Sequence, residues 1–150
     1  MAEVLHATAI AVAGRGVLIR GPSGSGKSDL ALRCLAVPAG PFAAAAALLV
    51  ADDQVEVAAH GGRVRITAPA VLRGLIEVRG IGIVEVACAP DAELALVADI
   101  VPPGEVERMP AAGLTATICG IAVPYMRVDA HEASAPIKLL LALAEAGRHD

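Results

Sequence analysis

The octapeptide GPSGSGKS at residues 21–28 constrains the fold of this chain more than any other segment. It follows an apolar run, GVLI, at 16–19 and precedes helix-compatible residues, and it matches the pattern G-x-x-x-x-G-K-[S/T] at every fixed position. In such a loop, backbone N–H groups and the N-terminus of the following helix face phosphate oxygens. The sequence therefore predicts a nucleotide-binding P-loop formed by Gly21, Pro22, Ser23, Gly24, Ser25, Gly26, Lys27 and Ser28. Lys27 is predicted to reach the terminal phosphates, and Ser28 to offer its hydroxyl to Mg²⁺.

The segments around this loop predict an α/β domain with a mixed sheet over residues 1–150. A helix is expected from Lys27 until Pro38, followed by a Pro/Gly/Ala insert at 38–47. Strands are expected at 47–51, on both sides of a turn at Gly61-Gly62, from Gly82, and at 93–101, with a loop at 102–113. A last helix is expected after Ser134, with Pro136 in its first turn and its end at Gly147.

The segment before the P-loop predicts a hairpin that brings a histidine to the loop. Gly14-Arg15 fits a two-residue turn, so 5–12 and 17–20 are expected to pair as antiparallel strands. That register pairs Val12 with Val17 and places His6 opposite Ser23. His6 is therefore a candidate catalytic residue, although a histidine in a sheet is often only structural. His131 precedes the last helix without a ligand-like cluster around it.

Acidic residues that could serve a P-loop follow the strand LLVA. Asp52 and Asp53 lie at its end, where a nucleotide site needs a carboxylate to support Mg²⁺ or to accept a proton. A second candidate segment is IEVRGIGI, in which Glu77 and Arg79 are charged within an apolar stretch. The spacing of these two charges also fits the exposed side of an ordinary strand.

The composition excludes several partners. The net charge is −4, 56% of the residues are hydrophobic, and Phe42 and Tyr125 are the only aromatic residues. The sequence shows neither clustered basic residues nor a base-stacking surface of aromatic or arginine planes, so no nucleic acid partner is expected. Arg15 interrupts the first apolar run before it could span a bilayer, and no membrane anchor or export signal is expected. The three cysteines, Cys34, Cys88 and Cys119, have neither disulfide nor zinc spacing, which favours buried thiols in a cytoplasmic protein.

Three segments, taken in order, resemble the C-terminal catalytic domain of the bacterial HPr kinase/phosphorylases. They are LHATAIAVAGRGVLIRGPSGSGKSDLAL, LVADDQVEV and GLIEVRGIGIVEV. The resemblance covers about residues 5–145 and is strongest up to Val86. It implies a P-loop kinase fold similar to the phosphoenolpyruvate carboxykinase core, in a short form without the family's N-terminal domain.

The resemblance also implies an activity. Such enzymes use ATP and Mg²⁺ to phosphorylate a serine of HPr, a phosphocarrier of the sugar phosphotransferase system, and reverse this with inorganic phosphate to give pyrophosphate. By position, His6 and Asp53 would form the acid/base pair, Lys27 would contact phosphates, and Ser28 with Glu77 would hold Mg²⁺. Asp52 would support them, and further catalytic candidates are Arg79 and, from a weaker match, Arg108. Family members form hexamers, so a homo-oligomer is expected.

The sequence leaves two other functions open. A small-molecule kinase could share this fold, and a non-catalytic nucleotide-sensing module could share the P-loop. A GTPase is disfavoured because the chain lacks an N-K-x-D motif.

Overall fold

The computed structural model describes residues 2–146 as an alternation of strands with two α-helices. The helices are α1 (Lys27–Leu35) and α2 (Ala135–Ala146). The strands are β1 (Ala2–Leu5), β2 (Thr8–Val12), β3 (Arg15–Arg20), β4 (Leu48–Ala51), β5 (Val55–His60), β6 (Arg63–Thr67), β7 (Leu75–Val78), β8 (Gly82–Glu85), β9 (Ala92–Ile100), β10 (Thr115–Ile118) and β11 (Ile121–Val128). Short 3₁₀ turns lie at Ala70–Leu72 and Pro103–Glu105.

Nine of these strands form one mixed sheet, and the remaining two, β7 and β8, form a separate hairpin. The path through the sheet is β1-β5-β6-β9-β3-β2-β4, with β11 pairing to β9 and β10 to β11. β3, β9 and β11 run parallel to one another, while β2 is antiparallel to both β3 and β4. The end of β3, the end of β4 and the start of β2 therefore meet at one edge of the sheet. Ligands bind at such an edge in open α/β sheets.

Apolar side chains cover both faces of the sheet. One face, with Ile10, Val17 and Ile19, packs against α1 and α2, which contribute Leu30 and Leu139. The opposite face carries a second cluster that includes Leu18, Val57, Ile66 and Val97. Alternating residues of β3 thus enter different clusters, as expected for a strand buried on both sides.

Cys34 of α1 lies in the first cluster, where burial raises the pKa of its thiol to about 12. This thiol therefore stays protonated at neutral pH, which agrees with a buried hydrophobic role. Cys88 and Cys119 are partly exposed, and all three cysteines are free thiols.

The predicted α/β class with a mixed sheet is confirmed, but the predicted hairpin register is wrong by two residues. Val12 pairs with Arg15, and the turn is formed by Ala13 and Gly14, both at positive φ. An alanine rarely adopts such a conformation, so the sequence favoured the turn one residue later. Arg15 lies in β3, and its guanidinium donates to the carbonyl of Leu143 in α2, at 3.0 Å.

The predicted strand at 5–12 is also interrupted, since the chain leaves the sheet at His6 and Ala7. β1 pairs with β5 instead, and β2 begins at Thr8. Strands β7, β10 and β11 were not predicted. α2 begins after Ser134, with Pro136 in its first turn as predicted, while the predicted end at Gly147 lies outside the described residues. Within 2–146, neither helix is long and apolar enough to cross a bilayer.

Candidate active site

The P-loop connects β3 to α1 and has the conformation that its glycines permit. Gly24 and Gly26 have φ of 80° and 103°, a region that side chains other than glycine rarely occupy. Gly21 is needed for a different reason: a Cβ there would lie 2.5 Å from Ser25 Oγ and 3.3 Å from Ile100 Cβ. α1 begins directly after Gly26, so its first N–H groups face the space in front of the loop.

Lys27 folds back over the loop. Its Nζ donates to the carbonyls of Gly21, at 2.7 Å, and Pro22, at 3.1 Å, and the residue is only 7% exposed. The ammonium is thereby held at the mouth of the loop, where phosphate oxygens would approach.

Asp52 is the centre of a buried group of hydrogen bonds. Its Oδ1 accepts from Ser28 Oγ, at 2.6 Å, and from Thr8 Oγ1, at 2.9 Å. Its Oδ2 accepts from the backbone N–H of Glu77, at 2.9 Å. Asp52 is 6% exposed and Thr8 is fully buried. We call Thr8, Ser28 and Asp52 the buried carboxylate group; it joins β2, α1 and β4 to the β7–β8 hairpin.

Asp53 and His6 form an exposed pair beside this group. His6 Nε2 lies 2.6 Å from Asp53 Oδ1, and the two side chains are 54% and 64% exposed. Asp53 has a φ of 70°, and its backbone N–H donates to Thr8 Oγ1 at 3.4 Å. The Asp53 carboxylate thus has a different partner from that of its neighbour Asp52, which accepts from Ser28 and Thr8. We call His6 and Asp53 the exposed acid–base pair.

Both groups line one cleft of about 480 Å³. The P-loop forms its floor, and the β7–β8 hairpin adds Glu77, Val78 and Arg79 to its wall. On the other side of the P-loop, the lining includes Ala130 and His131. Asp29, Leu32 and Arg33 of α1 also line the cleft. The structure thus brings the predicted P-loop, His6, Asp52, Asp53, Glu77 and Arg79 together.

Arg108 is the one predicted catalytic residue that the structure leaves outside the cleft. It is exposed in the segment 101–114 between β9 and β10 and is not among the residues that line the cleft. Several lining residues were not predicted, among them Thr8 and His131. Thr8 gave no sequence signal beyond standing two positions after His6.

The residues in the cleft fit a magnesium ion bound together with a nucleotide. Ser28 Oγ and the Glu77 backbone contact opposite oxygens of Asp52, which brings the hydroxyl and the Glu77 residue to the same carboxylate. Residues 2–146 contain no cluster of three or more His, Cys, Asp or Glu residues arranged to hold a metal ion. Mg²⁺ does not need one, because it usually takes one or two protein oxygens and completes its shell with water and phosphates.

Comparisons with known proteins agree on one family. The model of the HPr Serine kinase C-terminal domain matches residues 1–146. The HPr kinase/phosphorylase of Limosilactobacillus reuteri is 36% identical over 135 residues, covering 83% of this chain and 40% of that protein. The enzyme of the same name from Burkholderia lata is 33% identical over 135 residues, covering 83% of this chain and 39% of that protein. The chain therefore spans about two fifths of the length of these relatives.

A solved structure agrees with the sequence comparisons. The Hpr(Ser) kinase/phosphatase from Coxiella burnetii superposes with a TM-score of 0.78 at 25% sequence identity, covering 98% of this chain and 91% of that one. The predicted P-loop kinase fold is thus confirmed along nearly the whole chain. The cleft also contains the P-loop and both carboxylates on which the resemblance was based. From its fold, its cleft and these matches, the chain belongs to the HPr serine kinase C-terminal domain family.

Proposed function

We propose that this protein is an ATP-dependent kinase that phosphorylates a serine of an HPr-like phosphocarrier protein. The observation that carries the proposal is the position of the exposed acid–base pair in the cleft that the P-loop forms. A P-loop alone binds phosphates, whereas a carboxylate at the same cleft can activate an acceptor hydroxyl. The two relatives are HPr kinase/phosphorylases, which supports HPr as the substrate.

In the proposed reaction, Asp53 accepts the proton of the serine hydroxyl as its oxygen bonds to the γ-phosphorus of ATP. The bond from the γ-phosphorus to the bridging oxygen breaks, and ADP leaves with that oxygen. His6, 2.6 Å from Asp53 Oδ1, orients the carboxylate and shares the proton. Lys27 stabilises the charge on the phosphate oxygens, which is the main electrostatic demand of phosphoryl transfer.

Asp52 has a different part in this proposal. Its oxygens already accept three hydrogen bonds, so it is suited to position the neighbouring residues and not to contact a substrate. Because Ser28 donates its proton to Asp52, the lone pairs of the hydroxyl oxygen remain available to a metal. We assign Ser28 and Glu77 to Mg²⁺, which when bound would neutralise charge on the β- and γ-phosphates.

Further parts of the proposal rest on the family. We propose that inorganic phosphate can attack phosphoserine in the same cleft, returning serine and releasing pyrophosphate, as the name phosphorylase implies for the relatives. We also propose a cytoplasmic homo-oligomer, a hexamer by resemblance. Arg79 lines the cleft and can contact phosphate or acceptor, whereas Arg108 supplies no step of the proposed reaction.

The experiment is phosphoryl transfer with a chosen acceptor. The purified chain is incubated with MgATP and either HPr or a metabolite extract, and the products are analysed by mass spectrometry. We expect a phosphoserine on HPr and no phosphorylated metabolite. Product found only in the extract would support a small-molecule kinase, and nucleotide binding without any transfer would support a sensing module.

A further inference from the structure

The strand order gives the cleft two distinct sides. β3, which leads into the P-loop, lies between β2–β4 and β9–β11 in the sheet. The residues that flank β2 and β4, His6 and Asp53, lie on the first side. The segment after β11 lies on the second side, where Ala130 is 3.6 Å from the position of a Cβ on Gly26. The P-loop therefore has a carboxylate side and a β11 side.

A bound triphosphate must run from one side toward the other. The transferred phosphate belongs next to Asp53, since that carboxylate is the proposed proton acceptor, and the helix N-terminus holds the phosphates behind it. The nucleoside then leaves the P-loop on the β11 side. His131 lines the cleft there, with Leu32 and Ala130 adding apolar surface.

The turn that carries His131 is fixed by side chains from two directions. Asp129 Oδ1 accepts from the His131 backbone N–H at 3.0 Å. Arg33 of α1 donates to the carbonyl of Ala130 and, at 3.2 Å, to that of Glu132. Such a turn is formed before a ligand arrives, which lowers the entropy lost on binding.

The ring of His131 is also the side chain best suited to a base on this side. Neither aromatic residue of the chain, Phe42 or Tyr125, lines the cleft, and the other ring in the lining, His6, is paired with Asp53. Within residues 2–146, the His131 imidazole makes no hydrogen bond, and only its backbone is engaged. A flat, unengaged ring on a fixed turn can stack on a purine.

We infer that the turn 129–132 is the nucleoside subsite of this cleft, with His131 stacking on the adenine of ATP. This inference rests on the proposed function, because it requires that the P-loop bind a nucleoside triphosphate. It adds a recognition element that the P-loop motif does not contain, because the P-loop binds the phosphates and this turn contacts the base.

The test compares MgATP with magnesium tripolyphosphate, which carries the phosphates without a nucleoside. Their dissociation constants are measured by calorimetry for the wild-type chain, His131→Ala and His131→Phe. His60→Ala is the matched control, because His60 is an exposed histidine outside this cleft. We expect His131→Ala to bind ATP on the order of 10-fold more weakly, as for loss of one stacked base, and to bind tripolyphosphate like the wild type. His131→Phe keeps a flat ring and should retain ATP affinity.

Several results would overturn the inference. If His131→Ala bound ATP as tightly as the wild type, His131 would not contact the base. The same conclusion would follow if this variant bound ATP and tripolyphosphate more weakly by the same factor. If His131→Phe bound ATP as weakly as His131→Ala, the ring of His131 would not act by stacking. Wild-type chain that binds both ligands equally tightly would overturn the subsite while leaving the kinase proposal intact, whereas failure to bind either ligand would overturn the proposed function itself.

Discussion

The buried carboxylate group and the exposed acid–base pair contain adjacent aspartates that differ in almost every physical respect. Asp52 is 6% exposed and accepts three hydrogen bonds, from Ser28, Thr8 and the Glu77 backbone. The Asp53 side chain is 64% exposed and contacts one ring nitrogen of His6. One carboxylate is committed to the protein, and the other is available to a substrate.

This difference comes from the backbone as well as from burial. β4 ends at Ala51, and the left-handed φ of Asp53 rotates its side chain away from the direction that a continued strand would give. Asp and Asn adopt this region more readily than other residues, apart from glycine. The two adjacent aspartates therefore have different partners and different exposure at the end of β4.

The largest effect is expected for Asp53→Asn. Asparagine keeps the shape and tolerates the left-handed φ, but it cannot accept the serine proton, so kcat should fall by roughly 10²–10⁴-fold with ATP affinity retained. Single-turnover phosphoryl transfer and nucleotide titration measure the two quantities. Asp52→Asn is the control: it replaces an acceptor of three hydrogen bonds by a group with one acceptor, and it should lower the melting temperature, which Asp53→Asn should not. If Asp53→Asn transferred phosphate at the wild-type rate, the general base would be Asp52 or His6 instead of Asp53.

Lys27→Ala tests the P-loop, which lines the same cleft as the two carboxylates. The ammonium donates to two loop carbonyls and Lys27 is not part of either apolar cluster, so the fold should remain while transfer falls on the order of 10²–10³-fold. Circular dichroism and the rate of HPr phosphorylation check the two parts. A variant that phosphorylates HPr at the wild-type rate would contradict the P-loop assignment.

The sequence predicted the position and the conformation of the P-loop well, because local rules determine them. The motif fixes the spacing of Gly26, Lys27 and Ser28, and the required conformations of glycine and of a helix N-terminus follow from that spacing. The carboxylates were predicted because they end a strand that follows the P-loop unit. None of these inferences needed a contact with a distant part of the chain.

Features that depend on distant contacts were predicted poorly. The turn at Ala13 and Gly14 is followed by Arg15, which donates to Leu143 across 128 positions, a contact that local turn rules do not include. The break at His6 allows that side chain to reach Asp53, 47 residues away. His131 enters the cleft because β11 adds to β9, and β11 itself was not predicted.

Glu77→Gln should produce a smaller change, confined to the metal. The amide keeps the length of the side chain and loses its charge, while the backbone N–H that donates to Asp52 is unaffected. We expect the Mg²⁺ concentration at half-maximal activity to rise between about 10- and 100-fold, in the range of altered metal surroundings. Activity is titrated against Mg²⁺ for both proteins, with Glu85→Gln on the same hairpin as control. If the two Mg²⁺ titration curves superimposed, Glu77 would not bind the metal and would be an ordinary exposed strand residue.

Thr8→Val should have the smallest effect and would show how the buried group supports the exposed pair. Thr8 Oγ1 donates to Asp52 and accepts the backbone N–H of Asp53, so it is the one side chain of the buried group that also holds the Asp53 backbone. Valine keeps the branched shape and loses both bonds. Stability should fall by about 1 kcal/mol, and kcat by roughly 10-fold, because the acceptor carboxylate is less well placed.

The comparison with Thr8→Ser separates these bonds from packing. Serine retains the hydroxyl and should preserve most of kcat, whereas the exposed Thr117→Val on β10 should leave both kcat and stability unchanged. ATP affinity should be the same in all three variants, since Thr8 contributes through Asp53 and not through the P-loop. An equal loss of kcat in Thr8→Ser would assign the effect to the missing methyl group. Wild-type kcat in Thr8→Val would show that Asp53 holds its left-handed conformation without help from the buried group.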